Sequence, residues 1–270
     1  MVTSSTIRSI AKSFIPSPVR RSARERVARF QHQGTTLQCP MCHAWVDHLL
    51  PHGQDHDIIH QLDIVGGGRR QHATCPVCLS TDRERLIYLY LLWNTRLFFG
   101  EKAKLLHMAP ESMLGRVLSR QKSLDYVSAD LQAPDVMLHI DLCDIPLEDE
   151  VFDVILCNHV MEHIPEDGLA MRELHRVLKP GGFAILQTPI AMDLKTTYED
   201  PSITSPQERE IAYGQWDHVR IYGRDYAHRL ADAGFQVDLF NWKTDADFLE
   251  NPGMTHGLNT EEVLYIAHKT

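Results

Sequence analysis

At 270 residues the chain can hold one large domain or two smaller ones, each with a real buried core. Its 43% hydrophobic and 23% charged content is ordinary for a globular chain, and no run of about eighteen apolar residues marks a membrane span. The net charge of −9 is uneven: residues 1–30 hold seven Lys/Arg and one acid, so the remaining body carries −15, which argues against a nucleic-acid platform because phosphate binding relies on basic charge.

Residues 1–34 read as a basic tail, loosely ordered through residue 17 and helical over Val19–Gln31. That helix is expected to pack on the next domain, with docking to a partner or a membrane surface as the alternative. The first thirty residues lack an export-signal apolar core, which predicts a cytoplasmic location. Residues 35–82 carry Cys39-Pro40-Met41-Cys42 and Cys75-Pro76-Val77-Cys78, with 32 residues between the pairs. Each pair is a tight turn that aims two thiolates at one point, and two such turns complete a closed, structural Zn(II) site; a free or redox-active pair is the competing reading. The intervening His43, His48, His52, His56 and His60 read as loop histidines, one of which could replace a cysteine. The module is expected to act as a staple for a domain too small to hold itself.

Residues 83–270 form the second, larger domain. Thr81–Phe99 predicts a helix that is apolar nearly all round and buries deeply. Lys104–Met108, Tyr126–Asp130 and Val136–Ile140 read as strands, and Phe152–Cys157 as a strand buried on both faces. A helix over Gly168–Leu178 is stopped by Lys179-Pro180-Gly181-Gly182, before the strand Phe183–Leu186. A strand, crossover helix and strand of this length make a right-handed parallel pair, whose ligands sit beyond the carboxyl ends of the strands. That places Asn158, His159, Glu162 and His163 at the functional edge. Ile190–Tyr222 shows no clear period and is too long for a simple loop; its dense Asp, His, Arg and aromatic content suggests an acceptor lid. His218 and Arg220, two apart, would face the same way on an extended segment, one taking a proton and the other holding an anionic part of the acceptor. Asp225–Gly234 reads as a helix, and Phe235–Phe240 and Val263–His268 as strands.

FDVILCNHVMEHI followed by RVLKPGGF, after DIPLEDEVFD, resembles the class I S-adenosylmethionine-dependent methyltransferases over roughly residues 102–269. LHMAPE at the first strand, with the upstream Cys-Pro-x-Cys pairs, is similar to a bacterial subgroup of that family and extends the likeness over nearly the whole chain. The resemblance implies an α/β fold: a Rossmann-like, seven-stranded, mostly parallel sheet with helices on both faces and an antiparallel last strand, plus a small N-terminal zinc-ribbon module. It also implies S-adenosyl-L-methionine as cofactor. The family's glycine-rich loop is replaced here: His107 aligns with its usual acid and Ala109 with its first glycine, and Glu111 follows. Asp130, 19 residues after Glu111, is a strand-tip carboxylate suited to both ribose hydroxyls. Asp141 and Leu142 stand where the family holds adenine, Asn158 ends the fourth strand, and Asp144 is expected to be structural.

For the chemistry, His159, His218 and Asp217 are the catalytic candidates by location. Glu162-His163 is similar to an acid–His pair that binds a divalent ion in some small-molecule O-methyltransferases, although no second matching pair accompanies it. The leading expectation is O-methylation of a small molecule or glycan precursor. A zinc-ribbon RNA methyltransferase and a non-catalytic cofactor-binding protein of the same fold are the alternatives.

Overall fold

The computed structural model describes residues 17–100 and 102–270, with only the backbone described for 17–22. Nearly all of the tail expected over residues 1–17 lies outside the described residues. The chain opens with α1 (Ser17–Gln31) and the short strands β1 (Leu37–Gln38), β2 (Trp45–Val46) and β3 (Leu50–His52). There follow α2 (Asp57–Gln61), β4 (Ile64–Val65) and β5 (Arg70–Thr74). Two antiparallel pairs, β1–β2 and β3–β5, frame the cysteine turns. Helix α1 lies on them: Arg24 and Arg29 donate to the carbonyls of Val77 and Cys42 at 3.0 and 2.8 Å, and Glu25 pairs with Arg116.

Helix α3 (Asp82–Trp93) starts at a capping box, Thr81 with Glu84. It is shorter than the Thr81–Phe99 helix expected. Asn94 occupies the C-cap, and the Thr95 hydroxyl then takes the Leu91 carbonyl at 2.6 Å, closing the last turn. The large sheet is built from β6 (Ala103–Met108), β7 (Leu124–Asp130), β8 (Leu138–His139), β9 (Phe152–Cys157), β10 (Leu178–Ile185), β12 (Gln236–Phe240) and β13 (Leu264–His268). Its order is β12-β13-β10-β9-β6-β7-β8. Strands β8, β7, β6, β9 and β10 pair in parallel, while β13 enters antiparallel to both β10 and β12. This is the Rossmann-like, mostly parallel architecture the resemblance implied.

The two central strands, β6 and β9, are mostly apolar because both faces are covered. Leu105, Val154, Leu156 and Ile185 join Leu86, Leu89 and Leu91 of α3, the helix α4 (Ser112–Leu118) and Leu37, Val46 and Val77 of the cysteine region in one core. Leu106, Ile155, Cys157 and Ala184 face the other way onto α5 (Asp167–Val177) and α7 (Tyr226–Asp232). The first core is continuous across the boundary expected at residue 82, so the cysteine module and the sheet share buried surface. The expected Lys179–Gly182 turn is drawn into an irregular start of β10, with Gly181 at φ 76° and Gly182 pressed against Asp153, where a Cβ would meet the Asp153 carbonyl at 2.8 Å.

Residues 190–222 are more ordered than their lack of period suggested. Strand β11 (Ile190–Ala191) pairs with β4 of the cysteine-module insert, Ile190 opposite Val65. Helix α6 (Pro206–Tyr213) has a Ser205/Glu208 capping box, proline in its first turn and a left-handed Gly214 at its end. Short helices α8 (Ala246–Glu250) and α9 (Pro252–Thr255) precede β13. Among the described residues no helix is long and apolar enough to cross a membrane.

Candidate functional site

Cys39 and Cys78 bring their sulfurs to 3.8 Å, Cys42 and Cys75 to 3.9 Å, and all four lie within 4.8 Å of one another. Zn–S bonds of about 2.3 Å in a tetrahedron put sulfurs about 3.8 Å apart, so the donor set and its spacing fit a zinc ion. Each turn closes in the same way. His43 N–H bonds the Cys39 carbonyl and Leu79 N–H the Cys75 carbonyl, with His43 and Leu79 both at left-handed φ, 56° and 66°. Four thiols this close cannot all ionise unaided: hydrogen bonds from its neighbours hold Cys39 below the usual thiol range, and the same contacts push Cys42 and Cys78 up. Ser80 Oγ lies 3.5 and 3.2 Å from Cys39 and Cys78 Sγ, and buried Arg85 ties the Ser80, Ala73 and Gly257 carbonyls together at 2.8–3.0 Å.

Beyond the carboxyl ends of β6, β7 and β9 lies a cavity of about 420 Å³. Ala109, Asp130, Asp141 and Leu142 line it, with Met108, His159, His163 and Asp217. Ala109, standing where the family has glycine, adopts φ 43°; the loop keeps the left-handed turn without the residue that takes it freely. Asp130 Oδ1 accepts from Gln132 and Ala133 N–H at 2.7 and 2.8 Å, and Asp141 Oδ1 from Cys143 N–H at 2.8 Å. Both acids therefore brace a turn with one oxygen while lining the cavity.

His107, Glu111 and Asn158 do not line the cavity but form a network beside it. His107 Nε2 is 2.7 Å from Glu111 Oε2 and its Nδ1 is 3.1 Å from the Tyr126 hydroxyl; Asn158 Nδ2 donates to Glu111 Oε1 at 3.1 Å. Burial opposes the charge of Glu111, but the hydrogen bond and field of His107 outweigh it and lower its pKa. Glu111 thus supplies the carboxylate charge near the first strand that His107 cannot.

A second cavity, also about 420 Å³, opens between the cysteine-module insert and residues 189–221. His52, His56, Gly66–Gly68 and Arg70 form one wall; Pro189, Tyr213, Trp216 and His218 form the other. The glycine wall is held by Arg83, which donates to the Gly66 carbonyl at 2.7 Å, and by Arg70, paired with Asp82 at 2.6 and 3.0 Å. The insert histidines, read from the sequence as loop residues, therefore include His52 and His56 on a cavity wall. The glycine run 66–68 between two short strands was the available signal for that wall.

His159 and His163 line both cavities. His159 sits at φ 54°, its N–H bonded to the Gln187 carbonyl at 2.7 Å. Its Nδ1 is 3.2 Å from Glu162 Oε1, off hydrogen-bond alignment, and its Nε2 is buried without a hydrogen-bond partner. Burial, reinforced by Arg83, lowers the pKa of His159 and favours the neutral ring. Burial works against ionised Glu162 as well, yet the surrounding imidazoles, His159 foremost, win and bring it to about 2. Asp217 Oδ2 is 3.2 Å from His163 Nδ1, and the His163 and His218 rings meet edge to face at 4.7 Å. Burial lowers the pKa of His218 too.

Arg220 does not take the anion-reading position expected beside His218. It is 3% exposed, and its guanidinium pairs with Glu199 at 2.8 Å while donating to the Met161, Ile164 and Pro165 carbonyls. It clamps the Glu162–His163 turn to the segment that carries His218.

Residues 111–186 match the family described as a methyltransferase domain. The chain is 30% identical over 132 residues to an uncharacterised 37.1 kDa protein in transposon TN4556 of Streptomyces fradiae, covering 46% of this chain and 37% of that one. It is 30% identical over 96 residues to an arsenite methyltransferase of Aquipseudomonas alcaligenes (35% and 25%) and 26% identical over 133 residues to a malonyl-[acyl-carrier protein] O-methyltransferase of Yersinia pestis (49% of each). The chain therefore spans between a quarter and a half of the length of these relatives. Among solved structures it is similar to the [4+2]-cyclase SpnF, with a TM-score of 0.47 at 16% identity over 69% of this chain and 81% of that one. Residues 111–186 are thus similar to a methyltransferase domain, and the relatives named as methyltransferases align with part of the chain.

Proposed function

We propose that the chain transfers a methyl group from S-adenosyl-L-methionine, held in the cavity lined by Asp130 and Asp141, to an oxygen of a small molecule or glycan precursor in the second cavity. The observation that carries this reading is that His159 lines both cavities and holds a buried Nε2 with no hydrogen-bond partner. Asp130 takes the ribose hydroxyls, Asp141 and Leu142 the adenine, and the Glu111 network the positively charged amino-acid end of the cofactor. S-adenosylmethionine supplies an electrophilic methyl on a sulfonium. The chain's own residues then align the acceptor, exclude water and remove its proton. Glu162 beside Nδ1 favours the tautomer with hydrogen there, which leaves Nε2 as the proton acceptor, and the carboxylate stabilises the imidazolium that forms. Tyr213 and Trp216 offer aromatic faces to the acceptor, and residues 198–222 serve as its lid. Cys39, Cys42, Cys75 and Cys78 hold a structural zinc that fixes the insert forming the opposite wall.

The test has two steps. Calorimetric titration with S-adenosylmethionine is expected to show one cofactor per chain, and methyl-labelled cofactor incubated with a fractionated lysate is expected to label a small-molecule fraction identifiable by mass. Absence of cofactor binding overturns the reading, and label appearing solely in RNA overturns its acceptor half.

A further inference from the structure

Between the two cavities, Glu162, His163 and His218 each offer a donor atom within 4.8 Å of the others. All three line the second cavity. We infer that this cluster is a second metal site, distinct from the four cysteines, which binds a divalent transition cation and presents open coordination positions to that cavity.

Two imidazoles and one carboxylate are the donor set of open catalytic sites for zinc, iron(II) and similar ions, in which the protein leaves one or more positions free. Donors of a zinc ion bound at about 2.0 Å sit about 3.3 Å apart, so these three need to close by up to about 1.5 Å, a side-chain adjustment. Charge points the same way. Three other buried acids have guanidinium partners, Asp82 with Arg70, Glu262 with Arg83 and Asp167 with Arg229, and Glu84 accepts three backbone N–H groups. Glu162 is 2% exposed and, among the described residues, no Arg or Lys pairs with it. Its Oε2 accepts from the Thr188 hydroxyl at 3.0 Å, while Oε1 is buried with no aligned donor. The groups facing Glu162 are the imidazoles of His159, His163 and His218, neutral donors suited to share a bound ion with the buried carboxylate.

The surroundings hold the donors in place. Asp217 sits on Nδ1 of His163, the outer partner that fixes a ligating imidazole and leaves its Nε2 for the ion. Arg220 binds the carbonyls of Met161, Ile164 and Pro165, and Val219 N–H bonds the Glu162 carbonyl at 2.9 Å, so the strand-end turn and the lid are fastened next to His218. The site exists whatever the acceptor is.

The test is titration of the zinc-loaded full chain with Co(II) as the one added metal, read by visible absorption and by elemental analysis after gel filtration. The parent is expected to take up one equivalent beyond zinc, with ligand-field bands and no thiolate charge-transfer band. Glu162→Gln and His218→Ala are each expected to weaken uptake at least about tenfold, and Asp217→Asn by about 10–100-fold. Zinc content and melting temperature are measured alongside; if Glu162→Gln fails to fold, His163→Gln and His218→Ala, on the cavity wall, carry the comparison. No uptake at millimolar Co(II), uptake with a thiolate band alone, or variants that bind like the parent overturns the inference. Calorimetry with S-adenosylmethionine on the same samples keeps the readings apart: cofactor binding without Co(II) uptake removes the metal site alone, and Co(II) uptake without cofactor binding removes the methyl-transfer reading alone.

Discussion

Glu84 accepts a 3.0 Å hydrogen bond from the backbone N–H of Leu114, across a sequence separation of 30 residues. The same oxygen takes the Met113 N–H at 3.1 Å, and the other takes Thr81 N–H at 2.8 Å. Helix α4, which follows the loop of Ala109 and Pro110, has no side-chain cap from its own N-cap residue, Glu111. It is capped instead by a residue on the helix that leaves the cysteine turns. Glu84 is 5% exposed, so Glu84→Ala strands three N–H groups away from water. Unpaired buried donors cost about 1–3 kcal/mol each, and a loss of at least about 3 kcal/mol is expected. Chemical denaturation measures it, and cofactor affinity should fall in parallel because the loop loses its anchor.

Purified protein is expected to contain one zinc per chain at the four cysteines. Cys75→Ser should bring zinc content below half an equivalent and lower the melting temperature. Because the cysteine region and the sheet share a core, the loss should appear in a single unfolding transition. Full zinc retention by the variant would remove these ligands.

Asp130→Ala is expected to weaken S-adenosylmethionine binding by about ten- to a hundredfold, the loss of charge-assisted hydrogen bonds worth about 1.5–3 kcal/mol. Asp144→Ala should change it far less, since Asp144 does not line the cofactor cavity. Equal affinities by calorimetry would end the ribose assignment.

His159→Gln should lower turnover by about 10²–10⁴-fold, the range of a lost general base, with a much smaller effect on cofactor affinity. Single-turnover methyl transfer to the identified acceptor separates the two effects.

The Asp82–Arg70 pair gives an acid-sensitivity prediction. Burial opposes the Asp82 charge, but Arg70 prevails and its folded-state pKa lies below the ordinary 3.8. A depressed carboxylate pKa contributes stability that is intact above the unfolded value and lost as pH falls through the folded one. Stability of the parent should therefore drop below about pH 3.8 more steeply than that of Asp82→Asn. Denaturation curves at several acidic pH values check the difference in slope.

The sheet was legible because buried strands announce themselves: Phe152–Cys157 is apolar but for Asp153 and was bounded correctly. The cysteine cluster was equally plain, since spacing alone sets the turn. Helix α6 was written in Ser205-Pro206-Gln207-Glu208, a capping box that the absence of a longer apolar period obscured. Arg220 was the instructive miss. Its two-residue offset from His218 fixes a face, but only the folded chain reveals three carbonyls of the 161–165 turn waiting there. The wall made by Gly66–Gly68 and His52 was hidden for the same reason, because its partner strand is far along the chain.

That pairing, β4 against β11, has a bearing on how the protein folds. The edge proposed to hold the cofactor is made from strands closer in sequence, with β6 beside β7 and β9, and such neighbours close smaller loops at lower entropic cost. The second cavity needs Ile64–Val65 to find Ile190–Ala191 across five strands of the large sheet, a far longer loop to close. On that cost the second cavity is expected to close after the paired strands of the sheet and to open more readily than they do, so local opening should loosen this wall before the edge beyond β6, β7 and β9.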